Sequence, residues 1–325
     1  MKIFLCLLGI VIFAFTVATL KDGEQTYPSH HPFKSAELRE EYIAFNNLQS
    51  KSWPVPYEIK EQGTSAGKTF IRICGSEKNP PLILLPPGGG NSLNWIPMVE
   101  ELSQYFHVYA LDNIHDFGRS IYYQPFETGE DFAVWLDELF TSLKLGDRVN
   151  IMGMSYGSWI ASQFALFHPE RIDRIVLLSP PATIIPIRLE FTLRALLSLV
   201  HKRLNKSFVY WIFEDFAKSS SDNHKVLDDI VEYTELCNRS FIPYKLVLPT
   251  VLTDDELRSI RVPTLYVVGE NEKICSPSKA IKRLNKVAPQ INTAVIPNAG
   301  HDLMLVDPDG VNEVVIAFLL KNEKS

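Results

Sequence analysis

Gly153-Met154-Ser155-Tyr156-Gly157 decides how this sequence reads. The five residues follow the apolar run Val149 to Met152 and open a segment, Ser155 to Phe167, whose apolar positions recur at helical spacing. A serine on a sharp strand-to-helix turn has a strained backbone and little room around it. Glycine two positions before and two positions after relieves that crowding. The following helix sets its N-terminus beside the serine, where developing negative charge is favoured. Five such residues arise often by chance. A strand before them and a helix after them make the pattern specific. The bland alternative is a tight turn with an incidental serine.

Working outward, short apolar runs alternate with helical patterns. Thr69 to Cys74 alternates like a half-buried strand, and Leu82 to Leu85 reads as a strand buried on both faces. Val108 to Leu111, Ile175 to Leu178, Thr264 to Val268 and Thr293 to Ile296 continue the series. Ser35 is placed to cap a short helix running through Asn47. Phe132, Leu136, Leu139 and Leu143 form a helical face, for which Gly146 supplies the stop. Val311, Val314, Val315 and Phe318 form another near the end. Strands alternating with helices predict an α/β fold with a parallel sheet covered on both sides. From Thr183 to Pro249 the chain reads as helices without strands. Such an insertion predicts a cap over the C-terminal edge of the sheet, where ligand sites of open α/β sheets lie. The expected organisation is a core over 56–182 plus 250–325, a cap over 183–249 and an N-terminal extension over 19–55.

A serine hydroxyl is a weak nucleophile and needs a base, which in turn needs an orienting acid. The fold predicts the chain order Ser, acid, His. Of eight histidines, His301, after Gly300, lies beyond the last strands; His168 and His201 sit in or near helices, and His107 and His115 precede the serine. A lone histidine is more often structural, but this position in the expected order makes His301 the candidate base. The loop after Thr264–Val268 reads Gly269-Glu270-Asn271-Glu272. Glu272 is the candidate acid, with Glu270 the alternative; solvated loop carboxylates are the bland reading. Leu82–Leu85 runs into Pro86-Pro87-Gly88-Gly89-Gly90. A glycine run after a buried strand lets backbone N–H groups turn toward an anion. Gly89, with Gly88 as the alternative, and Tyr156 are the candidate oxyanion donors. A phosphate loop would end in Lys-Ser/Thr, which is absent here; a plain flexible turn is the remaining alternative.

The chain has 325 residues, 46% of them hydrophobic, enough for a full-sized core. The net charge of −6 comes with no basic stripe, which argues against nucleic acid as a partner. Lys2 followed by the apolar run Ile3 to Phe15 and the small residues Thr16-Val17-Ala18 has the order of a secretory signal peptide over 1–18. An uncleaved membrane anchor to about residue 20 is the rival reading. Either places the body of the protein outside the cytoplasm. Cys74, Cys237 and Cys275 allow at most one disulfide in the mature chain, and no Cys/His cluster has zinc-ligand spacing. Asn205-Lys206-Ser207 and Asn238-Arg239-Ser240 are glycosylation sequons.

Taken together these residues resemble the α/β-hydrolase superfamily, and more closely the bacterial single-domain hydrolases often described as carboxylesterases. The likeness runs from about Ser35 to Phe318. It includes Trp53-Pro54-Val55-Pro56, the glycine turn, Asp112-Asn113-Ile114-His115-Asp116-Phe117-Gly118-Arg119-Ser120, Gly153 to Gly157, Val262-Pro263-Thr264 and Gly300-His301. The resemblance implies an eight-stranded, mostly parallel sheet with a helical cap. It implies acylation of Ser155, hydrolysis by water activated by His301, and no metal or organic cofactor. Three positions depart from the family pattern: Pro87 stands where His-Gly begins, Glu272 where Asp is usual, and His115 where Gly is common, at the pocket mouth. The expected substrate is a small-molecule ester with an apolar acyl group. An amide, lactone, thioester or carbon–carbon bond is the alternative within the same fold. A non-catalytic binding protein is the alternative outside enzymology, and membrane association through the N-terminal segment is a further expectation.

Overall fold

In the computed structural model, residues 27–321 are described; the signal-peptide or anchor segment expected at 1–18 lies outside them. Nine strands form one sheet: β1 (Glu58–Thr64), β2 (Gly67–Cys74), β3 (Pro81–Leu85), β4 (His107–Leu111), β5 (Ile121–Tyr122), β6 (Val149–Met154), β7 (Ile172–Leu178), β8 (Thr264–Gly269) and β9 (Asn292–Ile296). Eight follow the order β1-β2-β4-β3-β6-β7-β8-β9, and the two-residue β5 pairs with β2. The strands from β4 to β9 along this path are parallel, while β2 is antiparallel to β1, β4 and β5. The sequence expectation of eight strands is therefore one short strand low.

The central parallel strands are largely apolar because both faces are covered. On one face, α3 (Gly129–Leu143) and α4 (Tyr156–Phe167) bring Phe132, Trp135, Trp159 and Phe164 against Ile83, Ile151 and Ile175. On the other, α2 (Ile96–Tyr105) and α12 (Pro308–Leu319) bring Met98, Leu102, Val311 and Val315 against Leu82, Leu84, Met152 and Val176. Alternate residues of each strand serve opposite faces, as the period of two requires. An N-terminal helix, α1 (Ala36–Gln49), is capped by Ser35, whose side chain accepts from Leu38 N. Helix α3 stops one residue past its end at Lys144, which takes the left-handed conformation with φ 58°. The stop expected at Gly146 is thus made two residues earlier, and by a lysine.

Between β7 and β8 lie α5 (Leu189–Ser198), α6 (Lys202–Ile212), α7 (Glu214–Ser219) and α8 (Asn223–Ser240). An irregular stretch over 241–253 and the short helix α9 (Asp254–Ser259) lead back to the sheet. After β8 comes α10 (Pro277–Val287), and after β9 the four-residue α11 (Leu303–Val306). Cys74, Cys237 and Cys275 are free and buried, so the described residues contain no disulfide. Asn205 is buried and donates to Glu235 Oε1 at 3.0 Å, which makes it a poor glycan acceptor in the folded state. No described helix is long and apolar enough to cross a membrane.

Candidate active site

The parallel strands end at one edge of the sheet, and the loops after β3, β4, β6, β8 and β9 carry the groups of the site. β6 ends at Ser155, which is 8% exposed. Its backbone lies at φ 50°, ψ −118°, a region non-glycine residues rarely enter, at a cost of roughly 1–3 kcal/mol. The turn is held by Ser155 N donating to Leu178 O at 2.8 Å, and by Ser158 Oγ donating to Gly153 O and Leu178 O at 2.6 and 2.9 Å. Both flanking glycines are required sterically. A β-carbon at Gly153 would collide with the Gly157 backbone, and one at Gly157 with the Leu85 carbonyl. The strain thus stands Ser155 off the strand end, at the N-terminus of α4.

β8 and β9 supply the second group. Their loops bring Glu272 Oε2 within 2.8 Å of His301 Nδ1, with both residues buried. Glu272 Oε1 accepts from Ile274 N at 2.8 Å. Burial pushes the Glu272 carboxyl up, but the charge of His301, its hydrogen bond and the Ile274 amide outweigh this and hold it below its ordinary value. The alternative acid, Glu270, is turned elsewhere: its Oε2 accepts from Asn298 N at 3.1 Å. Ser155 Oγ has no hydrogen-bond partner among the described residues; the acid–base pair is formed, but the serine–histidine bond is not.

The glycine turn after β3 departs from expectation. Tyr156 N, at the start of α4, makes no backbone hydrogen bond and is open to an acceptor. Gly89 N–H is engaged: it donates to Asp116 Oδ1 and Oδ2 at 3.1 and 3.0 Å. Gly88 packs flat on Tyr156, where a β-carbon would press on its Cβ at 3.2 Å. His115, expected at the pocket mouth, is instead buried at 2% exposure against Tyr122, Phe126 and Tyr244. Burial lowers its imidazole to about 4, so it sits neutral as part of an aromatic cluster.

Other groups around the site escaped the sequence reading. Lys273 Nζ donates to Trp211 O at 2.7 Å and pairs with Glu214, and Asp302 Oδ2 accepts from Phe216 N at 2.8 Å. The acid loop and the histidine loop are therefore both tied to the helices above them. Tyr244, beyond α8, donates to Asp116 Oδ1 at 2.9 Å, and Tyr156 Oη to Val247 O at 2.7 Å. A polar cavity of about 500 Å³ is lined by Glu272 together with Arg188, Trp211, Glu214, Lys218 and Lys273, among others. Among the described residues no cluster of three or more His, Cys, Asp or Glu side chains could hold a metal ion.

Residues 80–308 match the family model of the α/β hydrolase fold. The chain belongs to the α/β-hydrolase family. Within it, the chain is 36% identical to the Bacillus subtilis carboxylesterase YbfK, over 82% of this chain and 89% of that one. It is 32% identical to the uncharacterized carboxylesterase nap of the same organism, over 89% and 97%. The crystal structure of carboxylesterase CesB (YbfK) superposes with a TM-score of 0.79 at 32% identity, covering 88% of this chain and 99% of that one. The naproxen esterase structure from Bacillus subtilis matches with the same TM-score at 30% identity. For an α/β-hydrolase, the placement of Ser155 after β6, Glu272 after β8 and His301 after β9 follows the chain order expected of its hydrolytic groups.

Proposed function

We propose that this α/β-hydrolase is a serine carboxylesterase, with Ser155 as nucleophile, His301 as general base and acid, and Glu272 as the orienting carboxylate. The observation that carries this is the buried 2.8 Å bond between Glu272 and His301 Nδ1, on the same sheet edge as a serine in a strained turn. Glu272 fixes the tautomer with Nε2 as the acceptor and stabilises the imidazolium that forms. Nε2 takes the Ser155 Oγ proton as Oγ attacks the ester carbonyl. The oxyanion of the tetrahedral intermediate draws on the Tyr156 and Gly89 N–H groups. Collapse breaks the bond to the alcohol oxygen, which receives the proton from His301. Water, deprotonated by His301, then attacks the acyl-serine and restores the enzyme. Two adjustments precede the first step: His301 must close on Ser155, and Gly89 must leave Asp116. Catalytic hydrogen bonds of this kind are often loose before substrate binds.

An ester with an apolar acyl group is the proposed substrate class: the names of the Bacillus relatives support an ester, and the aliphatic and aromatic content of α5–α8 supports the apolar acyl group. The N-terminal segment is proposed to direct the chain out of the cytoplasm, as signal peptide or anchor, on its charged, apolar and small-residue order. Hydrolysis of p-nitrophenyl esters from acetate to palmitate tests the activity, with Ser155→Ala and His301→Ala alongside. Turnover lost in both variants supports the mechanism, and the chain-length optimum sizes the acyl pocket. Turnover that persists in Ser155→Ala would sink it. No ester turnover, with Ser155 still reactive to an organophosphonate, would transfer the mechanism to another acyl bond.

A further inference from the structure

Asp116 has no part in the acyl transfer described above, yet it occupies one of its hydrogen-bond donors. The carboxylate is buried, at 4% exposure. Oδ1 accepts from Phe117 N at 2.7 Å, from the Tyr244 hydroxyl at 2.9 Å and from Gly89 N at 3.1 Å. Oδ2 accepts from Gly89 N alone, at 3.0 Å. An N–H bonded to an ionised carboxylate is not free for a second anion. A fixed negative charge beside a developing oxyanion also raises the barrier to forming it. Around Asp116 stand Tyr244 beyond α8, Tyr156 on α4, Cys237 on α8, Asp112 in its own loop and its chain neighbour His115. No lysine or arginine pairs with it among the described residues.

We propose that Asp116 gates the oxyanion loop: ionised, it holds the Gly89 N–H away from the reacting carbonyl; neutral, it releases that donor to the oxyanion. The proposal rests on the serine-hydrolase reading. The proton belongs on Oδ2, because Oδ1 already receives the Phe117 amide and the Tyr244 hydroxyl. A proton on Oδ2 turns it from acceptor to donor toward Gly89 N–H and leaves only the longer contact to Oδ1, now an uncharged oxygen that already accepts from Phe117 N and Tyr244, so the hold on Gly89 is weakened. The Gly89 peptide has room to turn: φ is 75°, and a β-carbon there would meet no atom within 4 Å. Burial, opposed by the three donors, lifts the Asp116 carboxyl to about 6, so the exchange falls in an ordinary working range. Asp116 is thus a positioning residue that acts through Gly89.

The test uses the full chain and Asp116→Asn, which keeps the shape and has no charge. Acylation by p-nitrophenyl acetate is followed from about pH 5 to 9, and labelling of Ser155 by a fluorophosphonate is measured in parallel. At about pH 8 the variant is expected to acylate roughly 10- to 100-fold faster, the worth of a hydrogen bond to a charged group. The gain should lie in kcat rather than KM. The ratio of variant to wild type should shrink toward one as pH falls below about 6. Tyr244→Phe removes a donor that favours the ionised form, so it should move the wild-type transition to higher pH. A ratio at or below one, or one that does not change with pH, overturns the gate, while labelling of Ser155 leaves the hydrolase reading standing. Absence of labelling in the wild type sinks that reading instead, and the gate with it. If Asp116→Asn does not fold, Tyr244→Phe decides, and an unmoved transition overturns the gate.

Discussion

The two ends of the sheet edge stand at different stages of readiness. At the β8–β9 end, Glu272 and His301 are already joined at 2.8 Å, and their loops are tied to α6 and α7 through Lys273 and Asp302. At the β3–β4 end, Gly89 N–H is spent on Asp116. Both regions bury a carboxylate, but only one of them is hydrogen-bonded to an imidazole, Glu272 to His301. Against its burial, Glu272 is held below the ordinary value by its interaction with His301 and by the Ile274 amide, whereas beside Asp116 no lysine or arginine among the described residues opposes burial, which pushes its carboxyl up to about 6. The same desolvation thus yields a fixed anion in one place and a titrating group in the other.

The most severe way to break the comparison is at the β8–β9 end and the serine it serves. Ser155→Ala and His301→Ala are each expected to lower kcat by on the order of a million-fold, because the groups act as a unit. Glu272→Ala should cost about ten-thousand-fold, the range found when the orienting carboxylate of such a set is removed. Glu270→Gln should leave kcat unchanged, since Glu270 faces Asn298 rather than His301. Steady-state kinetics on one p-nitrophenyl ester checks all four, and a loss in Glu270→Gln as large as that in Glu272→Ala would reverse the assignment.

How much of this was legible in the sequence follows the same division. Strands β3, β4, β6 and β8, and the Ile175–Leu178 part of β7, announce themselves because burial on both faces demands apolar runs, while β9 is read from its β-branched residues although it is half exposed. β1 does not: Glu58, Lys60, Glu61 and Gln62 line an exposed edge strand that pairs with β2 alone. The two residues of β5 are too short to carry a period. Ser155, Glu272 and His301 could be named because chain order and local turn chemistry locate them. Asp116 could not be given its contact, since Gly89 lies 27 positions away, with α2 and β4 between them, and no local pattern encodes it. Nor could the burial of His115, which depends on the aromatic side chains of Tyr122, Phe126 and Tyr244 converging from three segments.

Stability against pH sharpens the contrast at a smaller scale. Asp116 has a folded-state value raised from 3.8 to about 6, so the folded chain binds its proton more tightly than the unfolded chain does. Its contribution is therefore favourable to folding at low pH and is lost as pH rises from about 4 to 6, by roughly 3 kcal/mol in all. Glu272 has the opposite sign: its lowered value contributes stability above the ordinary carboxylate range, lost as pH falls through the folded value. Urea unfolding at about pH 8 should find Asp116→Asn more stable than wild type and Glu272→Gln less stable. A less stable Asp116→Asn would show that its hydrogen bonds outweigh its desolvation.

The most direct test of the account is the site of covalent capture. The full chain would be treated with a fluorophosphonate and digested, and the modified peptide located by mass spectrometry, for wild type and for Ser155→Ala. The expected result is a single adduct on Ser155 in wild type, slowed severely in His301→Ala and absent from Ser155→Ala. An adduct on any other residue, or an unmodified Ser155 in a folded wild-type protein, would contradict the claim that this strained serine is the nucleophile.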